Sequence, residues 1–273
     1  MKGMKHLSAI APIGALIVGG LLVSPSSAAS GSASSTVFNS IPSTVPGNVS
    51  SLAFESTSTS EFGDYARFAG TKRSLQKVTV VMSSWGCESG TYDARAGVPC
   101  NTTPGATFSH DITLNLYANP GAGVVGGLLA TKTQTFAIPY RPSADPTCEI
   151  PTKWKAADGT CYNGLATPIT FTFTGVTLPE SVIYGIAYNT TSFGYDPIVT
   201  ADCNSEPLGC GYDSLNVSAA STTPRKGVDY DVNGVFLNSS WSGAYCSGTT
   251  GTFRLDSPCW TGYNPMVKFV TRR

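Results

Sequence analysis

Charged side chains are scarce in this sequence. Asp, Glu, Lys and Arg make up 12% of its 273 residues, about half the usual share. The 17 basic and 17 acidic residues also cancel to a net charge of zero. Because nucleic acids and anionic membranes attract proteins with an excess of basic residues, this balance argues against both as partners. Ser, Thr, Gly and Asn replace the missing charge, as is typical of extracellular β proteins.

A second absence is an apolar run long enough to span a bilayer. The longest run, Ala9 to Val23, has 15 residues, whereas a membrane helix needs about 20. Two lysines precede the run, and the small residues Ser27 and Ala29 follow it. This order is typical of a secretory signal peptide, so we expect residues 1–29 to be removed and no membrane span to remain in the mature chain. An uncleaved anchor is the alternative.

The mature chain is long enough for one large β domain. Cleavage after Ala29 leaves 244 residues with 15 basic and 17 acidic side chains. Small residues after the cleavage site predict a disordered tail over 30–36, followed by a single domain over 37–273. We expect the protein to be secreted or extracellular.

The sequence also lacks the residues of the common nucleophilic active sites. His110 is the only histidine after the leader, and a Ser-His-Asp site needs an imidazole as its proton shuttle. No Gly-x-Ser-x-Gly turn is present to expose a nucleophile. We therefore predict no catalytic residue and interpret His110, which lies beside a predicted strand, as structural. The alternative enzyme is a glycoside hydrolase, which needs only two carboxylates, such as Glu61 and Asp64.

Cysteine, by contrast, is present in an even number, and every cysteine follows the leader. There is no Cys-x-x-Cys pair of the kind that binds metal, so an exported chain with this pattern is expected to form disulfides. Three neighbouring pairs are 13 residues apart and the fourth pair is 7 apart. Closing loops of this length stabilises a fold by about 3 kcal/mol each. The spacing predicts four local disulfides: Cys87–Cys100, Cys148–Cys161, Cys203–Cys210 and Cys246–Cys259.

Long helical patterns are absent as well, and 29 Gly and 18 Pro leave little room for them. Apolar residues instead alternate with Thr and Asn over short runs, as in Asp111–Tyr117 and Ile169–Thr174. Alternation with a period of two indicates strands that bury one face. Turn pairs such as Asn233-Gly234 separate the runs. The sequence therefore predicts an all-β fold: a two-sheet antiparallel sandwich, jelly-roll-like, with disulfide-stapled loops.

One polar segment is similar to the opening of a calcium-binding loop. Asp229, Asp231 and Asn233 alternate with other residues and are followed by Gly234, which fits the pattern D-x-[DN]-x-[DN]-G. Oxygen side chains at this spacing converge on a hard cation. The twelfth position, however, is Ser240 instead of the glutamate of an EF-hand. A weak calcium site at the two aspartates and Asn233 is one interpretation, and a plain polar turn is the other.

Aromatic residues give the clearest indication of function. Trp154, Trp241 and Trp260 lie in or beside the cysteine-bracketed loops, and Tyr245 accompanies them. Exposed rings stack on the C–H faces of sugars, while neighbouring Asn and Asp bind hydroxyls. Packing of these rings on the disulfides or over the sheet ends is the alternative. We expect a non-catalytic secreted or surface-associated binding protein with an extracellular glycan as its partner. The other hypotheses are the hydrolase and a purely structural or matrix protein.

Five segments of the mature chain form a recognisable set: Thr59–Asp64, Val78–Trp85, Trp154–Gly164, Tyr184–Thr190 and Gly251–Arg254. Together they resemble a group of exported bacterial β-sandwich proteins with no assigned activity. The likeness covers most of the mature chain. It implies export and a sandwich fold, and it carries over no site residue.

Overall fold

The computed structural model describes residues 33–94, 97–189, 215–220 and 223–272, which form the all-β fold that the sequence predicts. Within these ranges no helix is long and apolar enough to cross a membrane. A short 3-10 turn covers Ser242–Ala244. The strands are β1 (Ser35–Asn39), β2 (Ser51–Leu52), β3 (Thr59–Arg67), β4 (Ser74–Ser84), β5 (Thr107–Ala118), β6 (Leu128–Pro139), β7 (Trp154–Lys155), β8 (Cys161–Tyr162), β9 (Leu165–Thr172), β10 (Ser181–Ala187), β11 (Leu215–Ala220), β12 (Val235–Ser239), β13 (Arg254–Asp256), β14 (Asn264–Pro265) and β15 (Val267–Arg272).

Six strands form one antiparallel sheet in the order β13-β12-β3-β10-β5-β6. The alternation predicted for Asp111–Tyr117 is confirmed in β5. Ile112, Leu114 and Leu116 are fully buried, and the residues between them face outward. This sheet therefore has one apolar face that requires a second layer.

Strand β4 is the centre of the second sheet, which has seven strands. Strand β9 pairs along one side of β4, while β15 and β11 lie end to end along the other side. Strand β1 adds to β15, and β2 and β14 add to β11. All of these pairings are antiparallel, which confirms the predicted two-sheet antiparallel architecture.

The hydrophobic core lies between the two sheets. Phe269 of β15 packs edge-on against Tyr184 of β10, with ring centroids 5.7 Å apart. At one side of the sandwich the edge strands β6 and β9 approach each other. Gln134 Nε2 donates to the carbonyl of Thr170 at 3.4 Å there, and the sandwich curls into a half-barrel.

A smaller apolar cluster covers the outer face of the six-stranded sheet. Its buried members are Tyr65, Ile183 and Phe236. The ring of Phe253 lies 5.4 Å from the Tyr117 ring and 5.9 Å from the Phe236 ring. Because Tyr117 and Phe236 belong to β5 and β12, the segment that carries Phe253 crosses over the two strands between them.

Three of the four predicted disulfides are confirmed: Cys87–Cys100, Cys148–Cys161 and Cys246–Cys259. Cys203–Cys210 and the signal peptide expected over 1–29 lie outside the described residues. The three disulfides indicate an oxidising, extracellular-type environment. Strand β1 begins at Ser35, which pairs with Thr271, so the sheet starts two residues before the expected domain boundary at 37.

Candidate functional site

A pocket of about 360 Å³ opens beside β3, at the side of the six-stranded sheet. The turn that precedes β12 brings Tyr230 and Asp231 next to Asp64 and Tyr65 of β3, and the loop at 119–123 forms the opposite wall. Phe236 and Leu255 of the outer apolar cluster complete the lining. The volume is at the lower end of the range for small-molecule sites, about 300–1,000 Å³.

Two tyrosines form the aromatic wall of this pocket. The rings of Tyr65 and Tyr230 are 4.8 Å apart at an angle of 46°. Tyr65 is buried, whereas Tyr230 is 62% exposed, which makes it the accessible ring. Arg67 Nη1 donates to the Tyr230 hydroxyl at 2.7 Å and fixes the position of the outer ring.

The loop opposite is shaped by its backbone. Gly121, Ala122 and Gly123 all have positive φ, at 101°, 52° and 72°. Asn119 Oδ1 accepts a hydrogen bond from the Gly121 amide at 3.1 Å, which starts the turn. A Cβ on Gly123 would lie 2.5 Å from Leu255 Cδ2. The loop therefore packs tightly on Leu255, and the pocket wall is preformed.

Three carboxylates lie near one another here: Asp64 and Asp231 line the pocket, and Asp229 is their neighbour. Asn264 Nδ2 donates to Asp64 Oδ2 at 3.1 Å and to Asp229 Oδ2 at 3.0 Å. The Asp231 amide donates to Asp229 Oδ1 at 3.1 Å. In the part of the chain that the structure describes, no Lys or Arg forms an ion pair with any of these acids.

The position of these acids perturbs their ionisation. Burial raises the pKa of Asp64 well above its usual range, and the neighbouring Asp229 raises it further. Burial also raises the pKa of Asp229 to about 6, although the hydrogen bond from the Asp231 amide lowers it; the charge of Asp231 raises it by a smaller amount. Like charges at short distance disfavour full ionisation. The cluster therefore tends to retain a proton or to attract a cation as the pH approaches neutrality.

The predicted calcium ligands form a series of turns. The Asn233 amide donates to Asp231 Oδ1 at 3.2 Å, and Asn233 Oδ1 accepts from Thr261 Oγ1 at 2.8 Å. Among the described residues, one group of three His, Cys, Asp or Glu side chains has its ligand atoms within 4.8 Å of one another: Cys246, Asp256 and Cys259. The two sulfurs of this group are bonded to each other. Asp229, Asp231 and Asn233 are thus linked by two consecutive turn hydrogen bonds, from the Asp231 amide to Asp229 and from the Asn233 amide to Asp231.

The carboxylates of the hydrolase hypothesis lie on opposite faces of one sheet. Glu61 Oε1 accepts from Asn115 Nδ2 and from the Tyr117 hydroxyl, both at 2.9 Å, on the outer face. Burial raises the pKa of Glu61 there. Asp64 is three residues along β3 and faces the other way, toward Asn264. Because successive side chains of a strand alternate between faces, Glu61 and Asp64 are not brought together as an acid–base pair.

The four predicted ligand-binding aromatics do not form one exposed surface. Trp154, Tyr245 and Trp260 are only 6%, 7% and 8% exposed, whereas Trp241 is 51% exposed. Trp154 Nε1 donates to the Gly164 carbonyl and Trp260 Nε1 donates to Asp256, both at 2.7 Å. The Tyr245 hydroxyl accepts from the Ser239 amide at 2.7 Å. These contacts match the packing alternative for three of the four rings.

His110 packs inside the sandwich. It is 7% exposed, and its ring lies edge-on to Tyr188 at 5.4 Å. Burial lowers its pKa. These contacts are those of a structural histidine, as the sequence suggested.

Sequence patterns identified both acids of the pocket lining, Asp64 and Asp231, and the neighbouring Asp229, but not the aromatic wall. Tyr230 lies inside the calcium-like motif, and Asn119 begins an Asn-Pro-Gly turn. The sequence therefore identifies each as part of a turn, but not as a residue of a pocket. Asn264 is 200 residues from Asp64 in the sequence, and no local pattern relates them. No family model, curated protein or solved structure matches this chain.

Proposed function

We propose that this chain is an exported, non-catalytic binding protein that holds a carbohydrate in the pocket between Tyr65, Tyr230 and Asp231. The observation that carries the proposal is the pairing of an accessible tyrosine ring with carboxylate oxygens inside a preformed pocket. Sugar C–H faces stack on aromatic rings, and their hydroxyls donate to carboxylates. The pocket volume suits a mono- or disaccharide.

Export is part of the proposal. It is supported by the signal-peptide pattern over 1–29 and by three disulfides, which persist in oxidising compartments. The low content of charged residues, 12%, is compatible with an extracellular β protein whose surface is kept wet by Ser, Thr and Asn.

The experiment is a thermal-shift screen of residues 30–273 with neutral oligosaccharides, followed by calorimetry on any that bind. A sugar at 100 times its dissociation constant stabilises the folded state by about 2.7 kcal/mol. We expect Tyr230→Ala and Asp231→Asn to weaken binding by about tenfold or more, since each removes a contact worth about 1–2 kcal/mol.

Trp241→Ala is the matched control, because Trp241 is an exposed ring outside the pocket. If this variant loses binding while Tyr230→Ala retains it, the sugar binds at the stapled loops and not in the pocket. If no sugar shifts the melt, the pocket proposal is wrong and the structural or matrix alternative is favoured.

One observation favours the hydrolase as a second candidate. Asp64 and Asp229 share the Asn264 amide, and the charge of Asp229 raises the pKa of Asp64, an interaction of the kind that separates the pKa values of paired catalytic acids. Turnover of a panel of chromogenic glycosides that Asp229→Asn abolishes would establish it. Binding without turnover by the unmodified protein would exclude it for the sugars tested.

A further inference from the structure

We infer that the protein has a second binding site, a cationic groove that accepts a linear polymer bearing phosphate or carboxylate groups. The groove lies between the turn at 68–73 and the segment 225–228, and its volume is about 580 Å³. It is separate from the carbohydrate pocket, and the inference does not depend on carbohydrate binding there.

Basic residues are concentrated on the two segments that flank the groove. Five of them lie on or next to these segments: Arg67, Lys72, Arg73, Arg225 and Lys226. Glu180 is the acidic residue in the lining of the groove. The groove lining itself has a net excess of one positive charge, from Arg67 and Arg73 against Glu180, and Lys72, Arg225 and Lys226 add positive charge beside it.

Asp229 follows the groove segment in the sequence but faces the other way. Its carboxylate accepts from Asn264 on the side of the buried acid cluster, and it is not part of the groove lining. The acid cluster and the cationic groove are thus neighbouring regions with separate faces.

The backbone holds the segment 225–228 rigidly between the two sheets. Arg67 and Val228 exchange hydrogen bonds of 2.9 and 3.0 Å, and Asn39 exchanges bonds of 2.8 and 2.9 Å with Arg225 and Lys226. A Cβ on Gly227 would lie 2.6 Å from the Arg67 carbonyl. The backbone that carries Arg225 and Lys226 is therefore held in place before any ligand arrives, which reduces the entropy lost on binding.

Most of these cations have no acidic partner. Arg67 binds Glu180 through Nε and Nη2 and binds the Tyr230 hydroxyl through Nη1. Arg73 lies over the Phe68 ring at 5.9 Å, and its Nη1 donates to the Lys72 carbonyl. Within the described residues, Lys72, Arg73, Arg225 and Lys226 form no ion pair with a carboxylate. Lys72 Nζ donates to the Ala33 carbonyl at 3.4 Å and Arg225 Nε donates to the Ile41 carbonyl at 2.9 Å, neutral acceptors that leave the positive charges uncompensated.

The shape of the site favours a polymer over a membrane. The cations flank a groove, and a linear chain can lie along it, whereas a flat bilayer contacts the outer edges only. Guanidinium groups bind phosphate and carboxylate through paired hydrogen bonds, so the recognised chemistry is a repeated oxyanion. Phosphodiester polymers and uronate polymers both supply it.

The test measures binding of residues 30–273 to polyphosphate and to polygalacturonate, with neutral dextran as the control, at low and high salt. We expect micromolar or tighter binding to at least one polyanion, none to dextran, and weakening with salt because exposed charges are screened. The polyanion bound more tightly identifies the oxyanion as phosphate or carboxylate.

Two sets of variants locate the site. Arg73→Gln with Lys226→Gln removes two groove cations and should weaken binding about tenfold. Lys132→Gln with Lys155→Gln removes the same charge from β6 and β7 and should change it by less than twofold. Glu180→Gln removes the acid that occupies Arg67 and should tighten binding about twofold, an effect that a damaged fold would not produce.

Several outcomes would overturn the inference. Equal weakening by both double variants would mean that attraction is not localised at the groove. If Glu180→Gln does not tighten binding, Arg67 does not contribute to polyanion binding. Absence of binding to both polyanions at low salt, or binding only to anionic vesicles, would exclude the proposed partner. Neutral oligosaccharides report on the tyrosine pocket alone, so the two proposals fail independently.

Discussion

Asp229 is the residue at which burial and charge conflict most directly. Its pKa rises from an ordinary 3.8 to about 6, so the folded state binds its proton more tightly than the unfolded state does. The stability that this group contributes is fully present below its unfolded pKa and is lost as the pH rises through about 6. We expect the melting temperature to fall by about 3 °C or more between pH 4 and pH 7.

Comparison of variants isolates this effect. Asp229→Asn removes the titrating group and should flatten the pH dependence of the melting temperature. Asp158→Asn is the control, because its hydrogen bonds with Thr160 lower the pKa of Asp158 and so give the opposite slope. If Asp229→Asn melts with the same pH dependence as the unmodified protein, the buried acids are not in conflict.

The calcium hypothesis at Asp229, Asp231 and Asn233 gives a different prediction at the same residues. A cation bound there would neutralise the cluster and would raise the melting temperature at pH 7 in proportion to its occupancy. We expect a shift of at least a few degrees between millimolar calcium and EDTA if the site exists. An unchanged transition, with the two melts superimposed, would rule out a stabilising ion and leave a polar turn.

Gly63 is a residue whose lack of a side chain is required by its neighbours. A Cβ at this position would lie 1.7 Å from the Tyr184 carbonyl oxygen, an atom of the partner strand's backbone that cannot move away locally. We expect Gly63→Ala to destabilise the fold by about 3 kcal/mol or more. Denaturant unfolding measures this, with Gly127→Ala as the control, since a Cβ at Gly127 meets nothing within 4 Å. Equal stabilities would contradict the β3–β10 packing.

At the scale of elements, the segment closed by Cys246–Cys259 acts as a cover for the six-stranded sheet. It carries Phe253 across the outer face, and Asp256 Oδ2 accepts from the Cys246 amide at 2.8 Å. Replacing both cysteines by alanine should cost about 3 kcal/mol and should speed hydrogen exchange in β12 and β13. The same change at Cys148–Cys161, which closes the separate β7–β8 hairpin, should leave exchange in β12 and β13 unchanged.

The elements were predictable from the sequence because their signals are local. Alternation within β5 and cysteines 13 residues apart are relations between near neighbours, so a single chain displays them. The site depends on contacts such as Asp64 with Asn264, which only the folded sheets bring together. Residue type was also a poor guide to exposure. Trp154 looked like a ligand platform, but its indole nitrogen is satisfied by the Gly164 carbonyl inside the protein.

At the scale of the whole molecule, charge is distributed unevenly although its sum is zero. Asp64 and Asp231 line the tyrosine pocket, whereas Arg67 and Arg73 line the groove, with further basic residues in the sequence beside it. The net charge of the whole chain therefore does not reveal the local charge at the pocket or at the groove. The two regions are joined by the Arg67–Tyr230 hydrogen bond, so occupancy of one can alter the orientation of a ring in the other.

Strand β1 connects this surface to the stability of the molecule as a whole. It buries Val37 and Phe38, whose ring lies 6.1 Å from that of Phe269, and Asn39 holds the groove segment. Burying two such side chains contributes about 3–6 kcal/mol. A chain that begins at residue 41 should therefore melt about 10 °C lower than one that begins at Ser30. A chain that begins at Ala33, which keeps β1, should melt at the same temperature as the chain that begins at Ser30.

The same deletion tests whether the groove depends on the fold around it. Without Asn39 the segment 225–228 loses two of its four backbone hydrogen bonds, so binding of polyanions should weaken even at temperatures where the shortened chain remains folded. Circular dichroism and polyanion titration at 15 °C separate the two effects. Full affinity in a shortened, folded chain would show that the cations bind without being held in place, and preorganisation by β1 would be the wrong explanation.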